Sequence, residues 1–222
     1  MWKICAFLIV VTNCAICSHI DPINHYQTGK ENSLHRDLCE FIKVIPIDEI
    51  RNLTKHFYAN DEAMRESYDY LRNEGLRKIA DGLSQISILK KFIGYLNDTG
   101  VDFAELKKQL GRILLTSDET KSIIVNEEGE GSGAGSLGGI NAFFNEALQM
   151  ISQEDVFTLF FTKIEQSSAF SGFLEKLSTS DYENMMDNMK QNHGIRELYF
   201  DLHAHGIDAL EWVKSLKGFA GY

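Results

Sequence analysis

The amino-acid sequence predicts an all-α protein made of two tandem repeats, each of about six short helices. Only two of the 222 residues are proline, so little interrupts helical periodicity. Apolar residues recur almost everywhere at the three- and four-residue spacing of an amphipathic helix. Residues 40–110 also align without a gap on residues 146–216, at a constant offset of 106 (146 − 40). This alignment contains 13 identities in 71 positions, where composition alone would give about four or five.

The apolar spacing and the helix-terminating residues place the predicted elements. The first repeat is expected to contain helices over roughly 34–44, 46–59, 61–73, 75–84, 86–99 and 102–114, and the second repeat their counterparts 106 residues later. Glycine caps and N-cap residues recur in both halves, at Gly100, Gly206, Asp102, Asp208, Asp61 and Ser152. Glu105 and Glu211 complete a predicted capping box after Asp102 and Asp208. We therefore predict chains of short helices joined by tight turns.

Composition shifts divide the chain into five segments. Residues 1–17 have the positive start, short apolar run and small-residue cleavage site of a secretory signal peptide. Residues 18–33 form an N-terminal extension, 34–115 the first repeat and 139–222 the second. Residues 116–138 are acidic and then Gly-rich, which predicts a flexible linker. The two repeats, spanning 34–222, are expected to form one globular domain of a secreted, extracellular protein.

Charge and cysteine content narrow the class of function. The formal charge is −10, and removing the signal peptide with its Lys3 makes it −11. A chain this acidic, without a basic stripe, argues against nucleic acid and against simple attraction to anionic membranes. Three of the four cysteines lie in the signal peptide; for Cys39 we prefer a buried thiol to an intermolecular disulfide. Asn52 and Asn97 begin glycosylation sequons.

No pattern of catalytic or metal-binding residues emerges from the sequence. His203 and His205 are two residues apart on a predicted helix and face different directions, so with His193 they are interpreted as surface residues and not as a zinc site. A formal G-x-G-x-x-G ends at Gly138, but its surroundings are helical and do not form the strand–turn–helix unit of a nucleotide site. We therefore expect a protein that is not an enzyme and has no cofactor or metal.

Bulky apolar residues are concentrated in the second repeat. They include Phe143, Phe144, Phe157, Phe160, Phe161, Phe170 and Phe173, followed by Met185, Met186 and Met189. An ordinary core would explain any one of these residues. Phenylalanine and methionine are also typical of adaptable apolar pockets. Both interpretations stay open from the residues alone.

Several short sequence segments resemble those of a known family. Residues 41–50 read Phe-Ile-Lys-Val-Ile-Pro-Ile-Asp-Glu-Ile, and Tyr-Ala-Asn-Asp at 58–61, Tyr-Leu at 70–71 and 95–96, and Gly100 follow. This pattern is similar to the insect allergen-related repeat of cockroach midgut allergens, mosquito microvillar midgut proteins and butterfly nitrile-specifier proteins. The resemblance covers 34–115 and 139–222. It is weaker in the second repeat, where residues 152–155 read Ser-Gln-Glu-Asp in place of Pro-Ile-Asp-Glu.

The resemblance implies a capsule of about a dozen short helices around one large apolar cavity that holds fatty acids or phospholipids. On the apolar helix faces, the expected cavity residues are Leu53, Phe57, Tyr68, Leu89, Phe92, Leu159, Phe160, Phe173, Met185, Met189 and Leu198. Our first hypothesis is a secreted lipid carrier of the midgut lumen or microvillar surface, in transient contact with membranes. The alternatives are a membrane-perturbing defence protein and, last, a detoxification protein like the nitrile specifiers. The sequence leaves the oligomeric state open.

Overall fold

The protein is helical throughout the part that the structure describes. A computed structural model describes residues 33–102, 115–127, 137–179 and 191–221. The helices are α1 (Ser33–Val44), α2 (Ile47–Asn60), α3 (Glu62–Tyr70), a π-helical turn (Leu71–Gly75), α4 (Leu76–Ser84), α5 (Ser87–Asp98), α6 (Ser117–Glu127), α7 (Gly139–Gln149), α8 (Gln153–Gln166), α9 (Ser168–Leu177), α10 (His193–Ala204) and α11 (Ala209–Phe219). These ranges contain no β-strand, which confirms the all-α class. None of their helices is both long and apolar enough to cross a bilayer.

Helix boundaries recur at the offset of the internal alignment. Helices α2 and α8 begin and end 106 residues apart, and so do α5 and α10. Helices α1 and α7, and α3 and α9, agree to within one residue at the same offset. The helices predicted at 102–114 and 181–190 fall on residues outside the described ranges, apart from Asp102. Superposition of the two halves, and a cavity enclosed by them, stay predictions.

Local capping explains why these helices begin and end where they do. Gly100 and Gly206 have positive φ angles of 71° and 76°. After each glycine the chain turns back: Val101 N–H donates to the carbonyl of Leu96, and Ile207 N–H to that of Leu202, both at 3.0 Å. The predicted N-caps also form, since the side chains of Asp61, Ser152 and Asp208 accept hydrogen bonds from the first turns of α3, α8 and α11. The predicted glycine caps and these three N-caps are confirmed.

The predicted turn between the third and fourth helices is wrong. The chain runs without a break from α3 through the π-helical turn Leu71–Gly75 into α4. A Cβ at Gly75 would lie 3.0 Å from Cε1 of Tyr70 and 3.1 Å from Cδ2 of Leu71. The glycine thus makes room for the Tyr70 ring beside the backbone, within a single-turn π-helical segment of one continuous helix.

The segment predicted as a linker contains a helix in its first half. Helix α6 packs on α2, with Leu115 buried just before it. The Glu119 carboxylate accepts hydrogen bonds from Arg51 and, at 2.9 Å, from the backbone N–H of Thr116. Charge pairing with α2 therefore holds a helix whose own apolar pattern is too weak to predict it. The Gly-rich residues 128–136 lie outside the described ranges.

The helices of the two halves pack across each other. The first helix of the first half, α1, packs on α8 and α9 of the second. In return α7, the first helix of the second half, packs on α2 and α3 of the first, as well as on α11 of its own half. Each half thus supplies its first helix to the apolar surface of the other, so neither half contains its complete core.

Candidate functional site

Four of the expected cavity residues lie together in a buried cluster, here named the α1 cluster. Its buried members are Leu34, Leu38, Phe41, Ile42, Phe92, Leu96, Val101, Phe160, Phe170, Phe173, Leu174, Leu177 and Ala220. The rings of Phe92 and Phe173 lie 6.1 Å apart, and those of Phe160 and Phe170 meet edge to face at 5.7 Å. Leu159 packs half-buried against the same cluster. Residues from both halves are thus brought together here.

Four other expected residues belong to a second group, here named the α7 cluster. Its buried members are Phe57, Tyr58, Met64, Tyr68, Tyr70, Leu115, Ile140, Leu202 and Ile207. Leu53 and Leu198 pack half-buried against it. The Tyr68 hydroxyl accepts a 2.8 Å hydrogen bond from Leu115 N–H, and burial raises the pKa of this tyrosine. The phenol is therefore anchored at the cluster and not exposed to solvent.

The two clusters occupy equivalent positions of the repeat. Leu34 and Ile140, Met64 and Phe170, Tyr68 and Leu174, Leu96 and Leu202, and Val101 and Ile207 are pairs at the offset of 106, with one member in each cluster. The described residues join each set internally but do not join the two sets into one cluster. Met185 and Met189 lie outside the described residues, as does the Leu89 side chain. A wall shared by all eleven residues therefore stays a prediction.

A buried carboxylate ties the two halves together at the α7 cluster. Asp61 is 1% exposed. Its Oδ1 accepts from Met64 N–H at 3.0 Å, and its Oδ2 from Leu137 N–H at 2.6 Å and Gly139 N–H at 3.0 Å. Burial alone would raise its pKa, but the hydrogen bonds from Gly139, Met64 and Leu137 outweigh burial and lower it. One side chain therefore caps α3 and also holds the chain that enters α7.

At the α1 cluster, an ion pair joins the two halves. Lys163 of α8 donates to Asp37, which is 1% exposed, at 2.8 Å and to Glu40 at 2.6 Å. Ser167, the N-cap of α9, donates its hydroxyl to Asp37 as well. Burial opposes the charged form of Lys163, but the bonds to Asp37 and Glu40 prevail and raise its pKa. Lys163, Asp37 and Glu40 lie on predicted helices, but the sequence does not show that they pair with one another.

The same two positions in the other cluster are aromatic. At the offset of 106, Lys163 corresponds to Phe57 and Asp37 to Phe143. The rings of Phe57 and Phe143 are in edge-to-face contact at 5.8 Å. The same junction of the repeat thus holds an ion pair at the α1 cluster and an aromatic pair at the α7 cluster.

A polar group closes the contact between the π-helical turn and α10. Tyr70 donates its hydroxyl to Asp201, and Lys78 donates to the same carboxylate at 3.0 Å. The His205 ring stacks on Tyr70 at 3.6 Å, with Nδ1 2.8 Å from the Asp201 carbonyl. The hydrogen bonds from Tyr70 and Lys78 lower the pKa of Asp201. Burial and the hydrogen bond to Asp201 raise the pKa of Tyr70. Polar groups of the first half thus form hydrogen bonds with Asp201 of the second half.

The remaining predicted residues lie at the surface or the cluster edge. Asn52 on α2 and Asn97 in the last turn of α5 are both exposed. Cys39 is half-buried against the α1 cluster, and its sulfur lies 3.5 Å from His35 Nε2. His193 and His203 are exposed on α10. In the described part of the chain, no three residues among His, Cys, Asp and Glu come together as a metal site would require.

Comparison with known proteins places this arrangement in a family. Residues 33–213 match the family model described as "Insect allergen related repeat, nitrile-specifier detoxification". Protein G12 of Anopheles gambiae is 22% identical over 227 residues, an alignment that covers 99% of each chain. The matched range includes both halves of the internal duplication and all of the described helices up to the middle of α11. The chain therefore belongs to the insect allergen-related repeat family.

Proposed function

We propose that this protein is a secreted, non-enzymatic carrier of fatty acids or phospholipid acyl chains. The observation that carries the proposal is the pair of equivalent apolar clusters, each built from helices of both halves. Leu53 and Leu159 occupy the same repeat position, one at each cluster, and both are only half-buried. Apolar surface that is available at matched positions is suited to the two ends of an extended hydrocarbon chain.

The energetics favour a hydrocarbon ligand for such surfaces. Each buried methylene group contributes about 0.8 kcal/mol. A chain of roughly 15 methylene groups that is fully buried would therefore contribute up to about 12 kcal/mol, before the cost of ordering it. Half-buried residues such as Leu198 keep accessible area in the free protein, and a bound chain would cover that area.

Support for a binding role also comes from the use of the charged residues. Asp61, Asp37 and Asp201, which would be candidates for acid–base chemistry, accept hydrogen bonds that join helices of different halves. Their pairing with N–H groups and lysines serves the junction of the halves. We do not propose the detoxification activity in the family description for this chain, because no side chain of the two clusters suggests that chemistry.

Secretion is part of the proposal. The signal-like residues 1–17 support export from the cell. The resemblance to midgut proteins of the family suggests the midgut lumen or microvillar surface as the destination. The exposed side chains of Asn52 and Asn97 are accessible to a glycan, which supports a secreted glycoprotein. Treatment of the purified protein with peptide N-glycosidase should lower its mass by the glycan at one or both positions.

Extraction and melting together test lipid carriage. We expect mass spectrometry of an organic extract of the purified protein to find fatty acids or phospholipids in near-stoichiometric amount. Removal of the lipid should lower the melting temperature, because a ligand that binds only the folded state stabilises it by RT ln(1 + [L]/Kd). No extractable lipid, together with equal melting temperatures before and after extraction, would contradict the proposal.

A matched pair of variants separates binding from packing. Leu53→Ala and Leu159→Ala remove the same side chain at equivalent positions of the two halves. We expect both variants to bind fatty acid more weakly, and so to show lower acyl occupancy at a fatty acid concentration near the wild-type Kd. If the variants melt earlier but retain wild-type occupancy, these leucines only pack between helices. Dye release from phosphatidylcholine vesicles at carrier concentrations would instead favour the membrane-perturbing alternative.

A further inference from the structure

One face of α8 carries large apolar side chains that remain exposed. Phe157, Phe161 and Ile164 are spaced i, i+4, i+7 and therefore lie along one side of the helix. Phe161 is 59% exposed and Ile164 is 37% exposed, while Phe157 is half-buried. We call these three residues the α8 face.

The equivalent face in the first half has a different character. At the offset of 106, its residues are Arg51, Lys55 and Tyr58 of α2. Helix α6 covers this face: Glu119 pairs with Arg51 and, at 3.2 Å, with Lys55. Beyond these pairs, Tyr58 and Ile124 line a surface groove of about 350 Å³. In the first half, α6 pairs with the charged residues Arg51 and Lys55, and Tyr58 is buried in the α7 cluster. In the second half, Phe161 and Ile164 remain exposed.

The α8 face is also continuous with the apolar interior. The Phe161 ring contacts the Phe160 ring edge to face at 5.8 Å. Phe160 is 4% exposed and belongs to the α1 cluster, together with Phe173 and the half-buried Leu159. An apolar path therefore leads from the surface of α8 to residues expected to contact an acyl chain.

Area and charge indicate what this face contacts. Three side chains, each only partly accessible, expose at most a few hundred Å², whereas a stable protein interface covers roughly 800 Å² per partner. The area is therefore small for a second copy but sufficient for shallow insertion into lipid. The cation of α8, Lys163, donates to Asp37 and Glu40 and so leaves little attraction for anionic headgroups. A bilayer of zwitterionic lipid fits these properties.

We propose that the α8 face is the surface through which the protein contacts a zwitterionic bilayer when it exchanges acyl chains. This proposal rests on the proposed lipid-carrier function. Phe161 inserts among the acyl chains near the headgroups, and Phe157 and Ile164 flank it. Lipid then passes along Phe161 and Phe160 toward the α1 cluster.

Flotation with phosphatidylcholine vesicles tests the surface. The full secreted protein and its Phe161→Glu variant are compared with Phe200→Glu, a control on α10 whose phenylalanine is 68% exposed. We expect wild type and Phe200→Glu to float with the vesicles, and Phe161→Glu to bind at least tenfold more weakly. Equal binding by Phe161→Glu, or no binding by the wild type, would overturn the proposal. So would a wild-type dimer that Phe161→Glu converts to a monomer, because the face would then contact a second copy.

A conservative variant locates the contact directly. In Phe161→Trp the apolar face is kept, and fluorescence quenching by brominated phosphatidylcholine should be strong; in Phe200→Trp it should stay at the level of the native Trp212. Equal quenching in both variants would refute insertion at α8. Acyl chains are extracted from the same preparations. Vesicle binding without extractable lipid, and with equal melting temperatures before and after extraction, would refute the carrier function alone. Extractable lipid without vesicle binding would refute only the docking surface.

Discussion

Replacement of Asp61 tests the junction between the two halves most directly. In Asp61→Ala, α3 loses its N-cap, which costs about 1 kcal/mol. The buried Gly139 N–H also loses its acceptor, at a cost of about 1–3 kcal/mol. Leu137 is 40% exposed, so water can replace the carboxylate at its N–H. We therefore expect the free energy of unfolding to fall by about 2–4 kcal/mol. For a domain of this size, each kcal/mol lowers the melting temperature by roughly 2–4 °C.

The duplication supplies a matched control for this change. Serine occupies the equivalent position, 167, and caps α9 through Phe170 N–H. Asp61→Ser should therefore keep the cap at Met64 and lose only the bonds to Leu137 and Gly139, at a cost of about 1–3 kcal/mol. Urea denaturation at pH 7 should therefore find wild type the most stable, Asp61→Ser less stable and Asp61→Ala the least stable. If Asp61→Ser is as stable as wild type, the carboxylate does not join the halves.

Acid titration checks the same interaction through linkage. The pKa of Asp61 is lowered from 3.8 in the folded protein because its hydrogen bonds outweigh burial. Its contribution is therefore fully present above about pH 4–5 and is lost as the pH falls through the lower folded value. The difference in unfolding free energy between wild type and Asp61→Ser should be constant from pH 7 to pH 5 and shrink below pH 4. A difference that does not shrink as the pH falls below 4 would refute the charged interaction.

Three further predictions follow from the helix contacts described above. Lys163→Met should destabilise the protein by about 3–5 kcal/mol because it leaves Asp37 buried without its lysine. The double change of Asp37 and Lys163 to phenylalanine, which copies Phe143 and Phe57, should recover most of that loss in urea denaturation, and no recovery would contradict the equivalence. Gly75→Ala should lower the melting temperature because of the contact with Tyr70, whereas Gly94→Ala, where a Cβ meets nothing within 4 Å, should raise stability by up to about 1 kcal/mol. Residues 18–127 and 137–222 expressed separately should lack cooperative unfolding and regain it when mixed; a stable isolated half would refute the exchange of α1 and α7.

Much of the local structure can be predicted from the sequence because short-range forces determine it. Helices α2 and α8 follow from apolar spacing, from Pro46 at the start of α2 and from the Ser152 cap at the start of α8. The glycines at 100 and 206 end their helices because their positive φ angles suit glycine. Helix α6 was missed because its stability depends on pairing of Glu119 with α2. The π-helical turn was missed because the apolar spacing and helix-terminating residues do not distinguish a continuous π-helical segment from a turn between two helices.

The candidate site could be predicted only in part, for a related reason. Burial of Phe57, Phe92 and Phe173 follows from apolar stripes, which show that a side chain points inward. A stripe does not show which other stripe covers it, so the division of these residues between two clusters was not predictable. Asp61 and Asp208 were predicted as N-caps, which is correct for both but omits the further bonds of Asp61 to Leu137 and Gly139.

By itself, the sequence determined the all-α class, the position of most helices, their caps and the period of 106 residues. These features depend on residues near each other along the chain, where spacing and capping chemistry are sufficient. Only the tertiary structure decided that α1 packs on the second half and α7 on the first. The two halves carry nearly the same apolar pattern, so packing within a half and packing across halves would satisfy that pattern equally. Side chains far apart in sequence distinguish the two arrangements: Lys163 reaches Asp37, and Asp61 holds Gly139, only when the first helices are exchanged.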